Sequence, residues 1–129
     1  MIESYRDLKV WQQAMDLAVE MYETTKSFPK EELYGLTSQI RRCATSIPAN
    51  IAEGWGRQSS GDYVRFLRIA QGSLKEIETH CILANRIGIL PTESLERTEI
   101  QTTAIGKMLF SLIRSINKKT NPKSLLPNG

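Results

Sequence analysis

The sequence predicts an all-α protein folded as an antiparallel up-down-up-down four-helix bundle. Four stretches of the chain repeat apolar residues at steps of three and four, which is the spacing of one face of an α-helix. Short segments with proline, glycine and serine separate these stretches, and short connections make consecutive helices antiparallel. The chain has 129 residues, a length that suits one domain, and shows no internal repeat, low-complexity tract or second domain.

Helix 1 is predicted between Leu8 and Thr25, with Asp7 as its N-cap. It carries two stripes at helical spacing: Leu8, Trp11, Met15, Ala18, Tyr22 and Thr25 in one, and Val10, Ala14, Leu17 and Met21 in the other. Apolar residues occupy more than half of the circumference of helix 1. The other three helices of a small bundle cannot bury all of this apolar surface. This favours a subunit interface.

Helix 2 is predicted within residues 35–57, GLTSQIRRCATSIPANIAEGWGR. Its buried seam consists of Leu36, Ile40, Cys43, Ala44, Ile47, Ile51 and Trp55. Pro48 has no N–H to donate to the carbonyl of Ala44, and its ring presses on that turn, so we expect helix 2 to be kinked at Pro48. Gly54 or Gly56 could supply the positive φ that ends the helix.

The same stretch resembles the signature of a known family. The resemblance is carried by Gly35, Leu36, Gln39, Arg41, Arg42, Ser46, Ile47, Asn50, Ile51, Ala52, Glu53 and Gly54, with further similarity at Asp7, Leu8, Val10, Trp11, Phe66, Leu67, Gly72, Ser73, Glu76 and Glu78. Roughly residues 5–117 resemble the bacterial four-helix-bundle proteins encoded in intervening sequences of 23S ribosomal RNA genes. That family is related to the accessory variability determinant of diversity-generating retroelements.

The resemblance implies a four-helix bundle that assembles as a homopentameric barrel and has no catalytic activity. It also implies a role in binding nucleic acid or an enzyme that acts on nucleic acid. Five residues are assigned to the structural motif of the bundle and not to a binding site: Pro48, Asn50, Glu53, Gly54 and Gly72. Cys43 departs from the family pattern, in which many members carry alanine.

Helix 3 follows the polar turn at residues 58–61 and is capped by Ser59 or Ser60. Its apolar stripe is Tyr63, Phe66, Leu67, Ala70, Leu74, Ile77, Cys81, Ala84 and Ile87. A glycine inside a helix costs roughly 0.5 to 1 kcal/mol against alanine, so we expect a neighbouring helix to approach closely at Gly72. Gly88 is predicted to close helix 3.

Helix 4 is predicted to begin after the cap residue Thr92. Its stripe is Leu95, Thr98, Thr102, Ile105, Leu109, Leu112 and Ile116. The four-helix bundle is therefore predicted to comprise residues 1–117. Residues 118–129 contain two prolines and three lysines without apolar periodicity, and they are predicted to form a mobile basic tail.

Positive charge is concentrated in two blocks of the chain. Lys and Arg number six against two Asp and Glu in residues 35–75, and five against none in residues 104–129, whereas acidic residues dominate the other two blocks. This asymmetry favours a polyanionic partner. The alternative is that acidic and basic helices complement one another within the bundle or between subunits.

Six basic residues are the candidates for binding nucleic acid: Arg41, Arg42, Arg57, Arg65, Arg68 and Lys75. Helices 2 and 3 would bring them onto a shared surface, and guanidinium groups bind phosphate oxygens bidentately. The alternative is that some pair with carboxylates of helices 2 and 3, and for Arg41 and Arg42 this is at least as strongly favoured. Trp55 and Tyr63 are the candidates for stacking on bases.

No set of residues fills the roles that a reaction needs, so an enzyme is not expected. His80 has no Cys, Asp or Glu at a convincing metal-ligand spacing, and neither a metal nor a cofactor is predicted. The cysteines Cys43 and Cys81 lie on apolar faces and are expected to stay reduced. No apolar run approaches the roughly 20 residues that cross a bilayer, and the N-terminus has no signal-peptide pattern, so a cytoplasmic protein is expected.

Two functions remain open from the sequence. The first is a non-enzymatic, oligomeric nucleic-acid-binding or nucleoprotein-adaptor protein that contacts backbone phosphates of RNA or DNA. The second is a protein-interaction scaffold, a homopentameric ring that docks a partner protein and has no direct nucleic-acid role.

Overall fold

A computed structural model describes residues 2–120, within which the chain forms four α-helices and no strand. The helices are α1 (Lys9–Thr25), α2 (Ser38–Trp55), α3 (Ser60–Arg86) and α4 (Thr92–Thr120). The prediction of an all-α, four-helix fold is therefore confirmed. Helix α4 extends past residue 117, and the rest of the predicted basic tail, residues 121–129, lies outside the described residues.

A capped 3₁₀ turn, Tyr5–Asp7, leads into α1. The hydroxyl of Ser4 accepts a hydrogen bond from the N–H of Arg6 at 3.1 Å, and the carboxylate of Asp7 accepts one from the N–H of Ser4 at 3.1 Å. The prediction that Asp7 caps helix 1 is wrong, because Leu8 holds the N-cap position of α1 without a side-chain hydrogen bond. Asp7 instead completes the cap of the preceding turn.

Each helix buries one face in a shared core. Its largest fully buried apolar side chains on the four helices are Leu17 and Met21 of α1, Ile40, Ile47 and Ile51 of α2, Leu67 and Ile77 of α3, and Ile105 and Leu109 of α4. Full burial of side chains of this size stabilises a fold by about 1.5 to 3 kcal/mol each. Two threonines of α4 are also buried, and Thr102 donates to a carboxylate oxygen of Glu78 at 3.0 Å.

Helix α2 runs through Pro48 as one helix, and the kink expected there stays a prediction. Non-helical backbone occurs earlier, at Gly35 (φ −110°, ψ −114°), within a π-helical turn, Leu33–Thr37, that precedes α2. The carboxylate of Glu32 accepts a hydrogen bond from the N–H of Leu36 at 3.1 Å across this irregular backbone. The side chain of Glu32 thus stabilises the irregular backbone that precedes α2.

Signature residues join α2 to α3. The amide of Asn50 donates to the carbonyl and hydroxyl oxygens of Ser46 at 2.8 and 2.9 Å, and the hydroxyls of Ser46 and Ser73 are 2.9 Å apart. A Cβ placed at Gly54 would lie 2.9 Å from the Tyr63 ring and 3.0 Å from Cβ of Phe66. Contacting residues therefore run in opposite order along α2 and α3, and Gly54 lies against α3 with no room for a side chain.

Two predictions about glycines need correction. A Cβ at Gly72 would meet no heavy atom within 4 Å, so the close approach expected there is wrong. Gly72 lies on the exposed side of α3 and Gly54 is the residue that faces a neighbouring helix. Gly88 has φ 87° and closes α3 as predicted, whereas Gly56 ends α2 with φ −76°, so neither Gly54 nor Gly56 supplies a positive φ.

Within the part of the chain that the structure describes, none of the helices combines the length and apolar character needed to span a membrane.

The two helical glycines provide a matched test of the α2–α3 contact. Gly54→Ala is expected to lower the free energy of unfolding by about 1 to 3 kcal/mol, because the added methyl group pushes Tyr63 and Phe66 of α3 away from α2. Gly72→Ala is the control and is expected to raise it by roughly 0.5 to 1 kcal/mol, since alanine favours the helix and meets open space. Urea unfolding followed by circular dichroism measures both. Equal effects of the two substitutions would contradict the close approach at Gly54.

Candidate nucleic-acid interface

The six predicted basic residues do not share one surface, because Arg41 faces α1. Its Nε donates to the hydroxyl of Thr25 at 2.8 Å, and its guanidinium carbon lies 4.7 Å from the centroid of the Tyr22 ring. Thr25 is buried and Arg41 is half-buried. These contacts give Arg41 a structural role between α1 and α2. The prediction that it joins a surface formed by helices 2 and 3 is not supported by this placement.

Arg42 points in a different direction from Arg41, as expected for adjacent positions that are about 100° apart on a helix. It is exposed, and its guanidinium donates to the side-chain carbonyl of Gln39. Its positive charge lowers the pKa of Cys43, but burial and then the nearby carboxylate of Glu76 outweigh it and raise that pKa to about 11. Arg42 therefore stands beside a neutral thiol.

Arg57 and Arg65 meet over one aromatic ring. Their guanidinium carbons lie 4.8 and 4.6 Å from the centroid of the Phe66 ring, although Arg57 follows α2 and Arg65 belongs to α3. Each arginine also has a carboxylate nearby: Arg57 is 3.3 Å from Glu53, and Arg65 is 3.8 Å from Asp62. The connection between α2 and α3 thus brings two cationic groups into contact with the same ring.

Arg68 and Lys75 lie one and three turns further along α3, at an open groove of about 920 Å³ between α3 and α4. Lys107 of α4 lines the same groove, whose other residues include Gly72, Glu78, Gly106 and Phe110. Lys75 is 3.1 Å from Glu78. Three cationic side chains thus surround the groove with one carboxylate. Sequence reasoning missed Lys107, because only the packing of α4 against α3 reveals it.

The carboxylate pairs of these basic residues are weak restraints. The Arg57–Glu53, Arg65–Asp62 and Lys75–Glu78 pairs are separated by three or four residues, and the side chain of each cation is at least 42% exposed. Solvent-exposed ion pairs of this kind contribute about 0 to 1 kcal/mol. Carboxylates thus lie next to Arg57, Arg65 and Lys75. Arg41 and Arg42, for which such pairing was favoured most, instead bond to Thr25 and Gln39. The low strength of the three ion pairs nevertheless leaves their cations able to contact phosphates.

The two aromatic residues expected to stack on bases contact each other instead. The Trp55 and Tyr63 rings are arranged edge to face with centroids 6.4 Å apart. Tyr63 also packs against Gly54, its hydroxyl is buried without a hydrogen-bond partner, and burial raises its pKa. Their edges and faces therefore serve the α2–α3 contact.

One stripe of α1 stays outside the core. Met15, Val19 and Tyr22 are 39%, 60% and 42% exposed, and they recur at the four- and three-residue steps of one helix face. The stripe with Val10, Ala14, Leu17 and Met21 is buried. The predicted stripe that includes Met15 and Tyr22 is only partly on the surface, because its members Leu8, Ala18 and Thr25 are buried and Trp11 is half-buried. Met15 and Tyr22 form a short exposed apolar stripe together with Val19.

The expectation that no suitable partner lies near His80 does not hold. Glu76 is four residues before it on α3, and Cys43 of α2 completes a group whose potential ligand atoms all lie within 4.8 Å of one another. Sequence reasoning considered Cys81 as the neighbour of His80. Cys81 instead points into the core, where its sulfur lies 3.9 Å from that of Met21.

Comparisons with known proteins match the chain to a protein family and to a solved structure. A family model described as 23S rRNA-intervening sequence protein matches residues 6–111. Among solved structures, the chain is similar to a crystal structure of a protein of unknown function from the S23 ribosomal protein family of Bacteroides thetaiotaomicron. The two chains share 30% identity with a TM-score of 0.74, over 81% of this chain and 98% of that chain. No curated protein matches this chain.

The adjacent arginines of α2 should respond differently to truncation. Arg41→Ala is expected to lower the free energy of unfolding by about 1 to 2 kcal/mol, because it removes a hydrogen bond to buried Thr25 and a cation–π contact with Tyr22. Arg42→Ala is the matched control and should change it by no more than about 0.5 kcal/mol, since the side chain is exposed. Thermal and urea unfolding measure the difference. A loss at Arg42 as large as that at Arg41 would contradict these assignments.

Proposed function

We propose that this chain, which belongs to the 23S rRNA-intervening sequence protein family, is a non-enzymatic, oligomeric protein that binds nucleic acid. It would bind RNA or DNA through backbone phosphates on the basic surface of α3 and the end of α2, by itself or as an adaptor for an enzyme that acts on nucleic acid. The family membership confirms the resemblance carried by the signature of helix 2.

A row of cations along α3 is the observation that supports this proposal most. Arg65, Arg68 and Lys75 follow one another at intervals of three and seven residues, which places them on one helix face. From the first to the third the row spans about 15 Å, at ~1.5 Å per residue. Phosphates of one strand recur about every 3.4 Å along duplex DNA, so the row matches about four nucleotides. Arg57, which contacts the same Phe66 ring as Arg65, and Lys107 across the groove extend it.

This surface suits phosphates better than bases. Its arginines offer guanidinium forks for phosphate oxygens, and such contacts position a protein on nucleic acid without reading its sequence. The rings of Trp55 and Tyr63 are engaged with each other. We therefore expect binding that depends steeply on salt and weakly on nucleotide sequence.

Replacing Arg65 and Arg68 together with alanine should weaken the binding of a fluorescent single-stranded RNA at low salt. The plot of log affinity against log salt should become flatter by about 1.4 to 1.8, because each lost phosphate contact removes about 0.7 to 0.9 from its slope. Fluorescence anisotropy over a salt series measures this slope, and circular dichroism checks that helicity is unchanged.

The double variant Arg86→Ala/Arg97→Ala is the control for net charge, since both arginines are exposed and lie outside the row. It should keep the wild-type slope. Deletion of residues 118–129, which removes all three lysines of the predicted basic tail, controls for attraction by that tail. If the deletion abolishes binding while Arg65→Ala/Arg68→Ala binds normally, the folded surface is not the site.

The second candidate is a protein-interaction scaffold, a homopentameric ring that docks a partner protein without a direct nucleic-acid role. It is favoured by the exposed apolar stripe Met15, Val19 and Tyr22 on α1. Apolar stripes left outside a small core are typical of subunit interfaces. The two candidates share the oligomer and differ in whether RNA is retained at low salt.

Light scattering at micromolar concentration should give about five times the chain mass of 14.6 kDa. Val19→Lys should lower this mass without loss of helicity, because a charge in the middle of the stripe would have to be buried in the interface. Ile100→Lys on α4 is the matched control, since Ile100 is 72% exposed and lies off α1. A monomeric wild type, or equal loss of mass in both variants, would contradict an α1 interface.

A further inference from the structure

Three side chains with different metal-binding groups converge where α2 packs against α3. The thiol of Cys43 comes from α2, while the carboxylate of Glu76 and the imidazole of His80 come from α3, and their potential ligand atoms lie within 4.8 Å of one another. The sulfur of Cys43 is 3.5 Å from Oε2 of Glu76. Glu76 and His80 are four residues apart, so they share a helix face.

These groups have the character and spacing of a zinc site. Thiolate, imidazole and carboxylate are the usual ligands of Zn²⁺, with bonds of about 2.0 to 2.3 Å. A tetrahedral ion with such bonds holds its ligand atoms about 3.3 to 3.8 Å apart. The Cys43–Glu76 distance already lies in this range. A movement of roughly 1 Å by the side chain of His80 or Glu76 would bring the remaining distances between ligand atoms into it.

One ligand of the group is buried, and the other two are accessible to solvent. Cys43 is 4% exposed and is held by α2, whose register against α3 is fixed one turn away by the Ser46–Ser73 hydrogen bond. His80 is half-buried and Glu76 is exposed, so an ion can enter from solvent. A water molecule could then occupy the fourth position, as in zinc sites with three protein ligands.

We infer that Cys43, Glu76 and His80 form a binding site for Zn²⁺ that links α2 to α3. Binding converts the thiol of Cys43 to a thiolate that donates an electron pair to the ion, and the displaced proton passes to solvent. The site is distinct from the proposed phosphate surface and does not depend on it.

The charged groups around Cys43 are consistent with this site. Without a cation the thiol keeps its proton, because burial and Glu76 raise its pKa to about 11. A bound divalent cation offsets both causes, since it favours the thiolate and neutralises the carboxylate. Arg42 opposes a cation, but its guanidinium is directed to Gln39. Cys81 remains in the core with a pKa that burial raises to about 12.

Titration of the reduced full-length protein with Zn²⁺ alone, followed by calorimetry, tests the site. We expect one ion per chain and release of a proton. At a free Zn²⁺ concentration one hundred times the dissociation constant, the melting temperature should rise by roughly 5 to 10 °C. Titration with Co²⁺ should produce the near-ultraviolet charge-transfer band of a thiolate ligand.

Variants of each ligand identify the site. Cys43→Ala should lose the Co²⁺ charge-transfer band, and His80→Ala and Glu76→Gln should each weaken Zn²⁺ binding by roughly tenfold or more. Cys81→Ala is the matched thiol control and should keep the band. Because His80 and Glu76 are partly or fully exposed, their variants should fold even if substitution of a buried cysteine disturbs the core.

Two results would overturn the inference. One is the absence of saturable Zn²⁺ binding by the wild-type chain. The other is binding that His80→Ala and Glu76→Gln leave unchanged, which would mean that the ion sits elsewhere on the surface. Neither result bears on RNA retention, which the Arg65 and Arg68 substitutions test separately.

Discussion

At Gly54 the backbone of α2 comes into contact with Tyr63 and Phe66 of α3, because glycine has no Cβ to hold the two helices apart. The Ser46–Ser73 hydrogen bond fixes the same pair of helices further along. Together these contacts determine which residues of α2 face which residues of α3. The meeting of two guanidinium groups over the Phe66 ring and the convergence of three potential metal ligands both depend on this register.

Burial and direction decide the roles of the basic residues more than charge does. Arg41 and Arg42 are adjacent, yet one is half-buried against Thr25 of α1 and the other is exposed beside Gln39. A guanidinium with a buried hydrogen-bond acceptor and an aromatic face contributes to stability and is poorly placed to release them for a ligand. Exposed pairs at three- and four-residue spacing, such as that of Arg57 with Glu53, exchange partners at little cost.

Apolar periodicity was sufficient to predict the helices, and the glycine signal predicted the end of α3 at Gly88, because both depend on local sequence. The buried face of α1 combines residues of both predicted stripes, since packing against the other helices decides it. Apolar periodicity could not decide whether Gly54 or Gly72 faces a neighbour, since both are helical glycines and only the packing of α2 on α3 distinguishes them. Glu76 and His80 are four residues apart and could have been paired from the sequence, but Cys43 escaped for the same reason, and with it the full group. Its thiol lies 33 residues from its carboxylate in sequence, and no spacing rule covers ligands from two helices.

The proposed phosphate surface and the proposed metal ligands lie on the same helix pair, so their relation depends on how that pair can respond. A ligand at one site changes affinity at another only if it shifts an element between two arrangements. Helices α2 and α3 are continuous over Ser38–Trp55 and Ser60–Arg86, and the close contact at Gly54 and the Ser46–Ser73 hydrogen bond join them at two points. An ion held by Cys43 and its partners would stabilise this arrangement without creating another. We therefore expect Zn²⁺ to raise the stability of the bundle and to leave its affinity for phosphates unchanged.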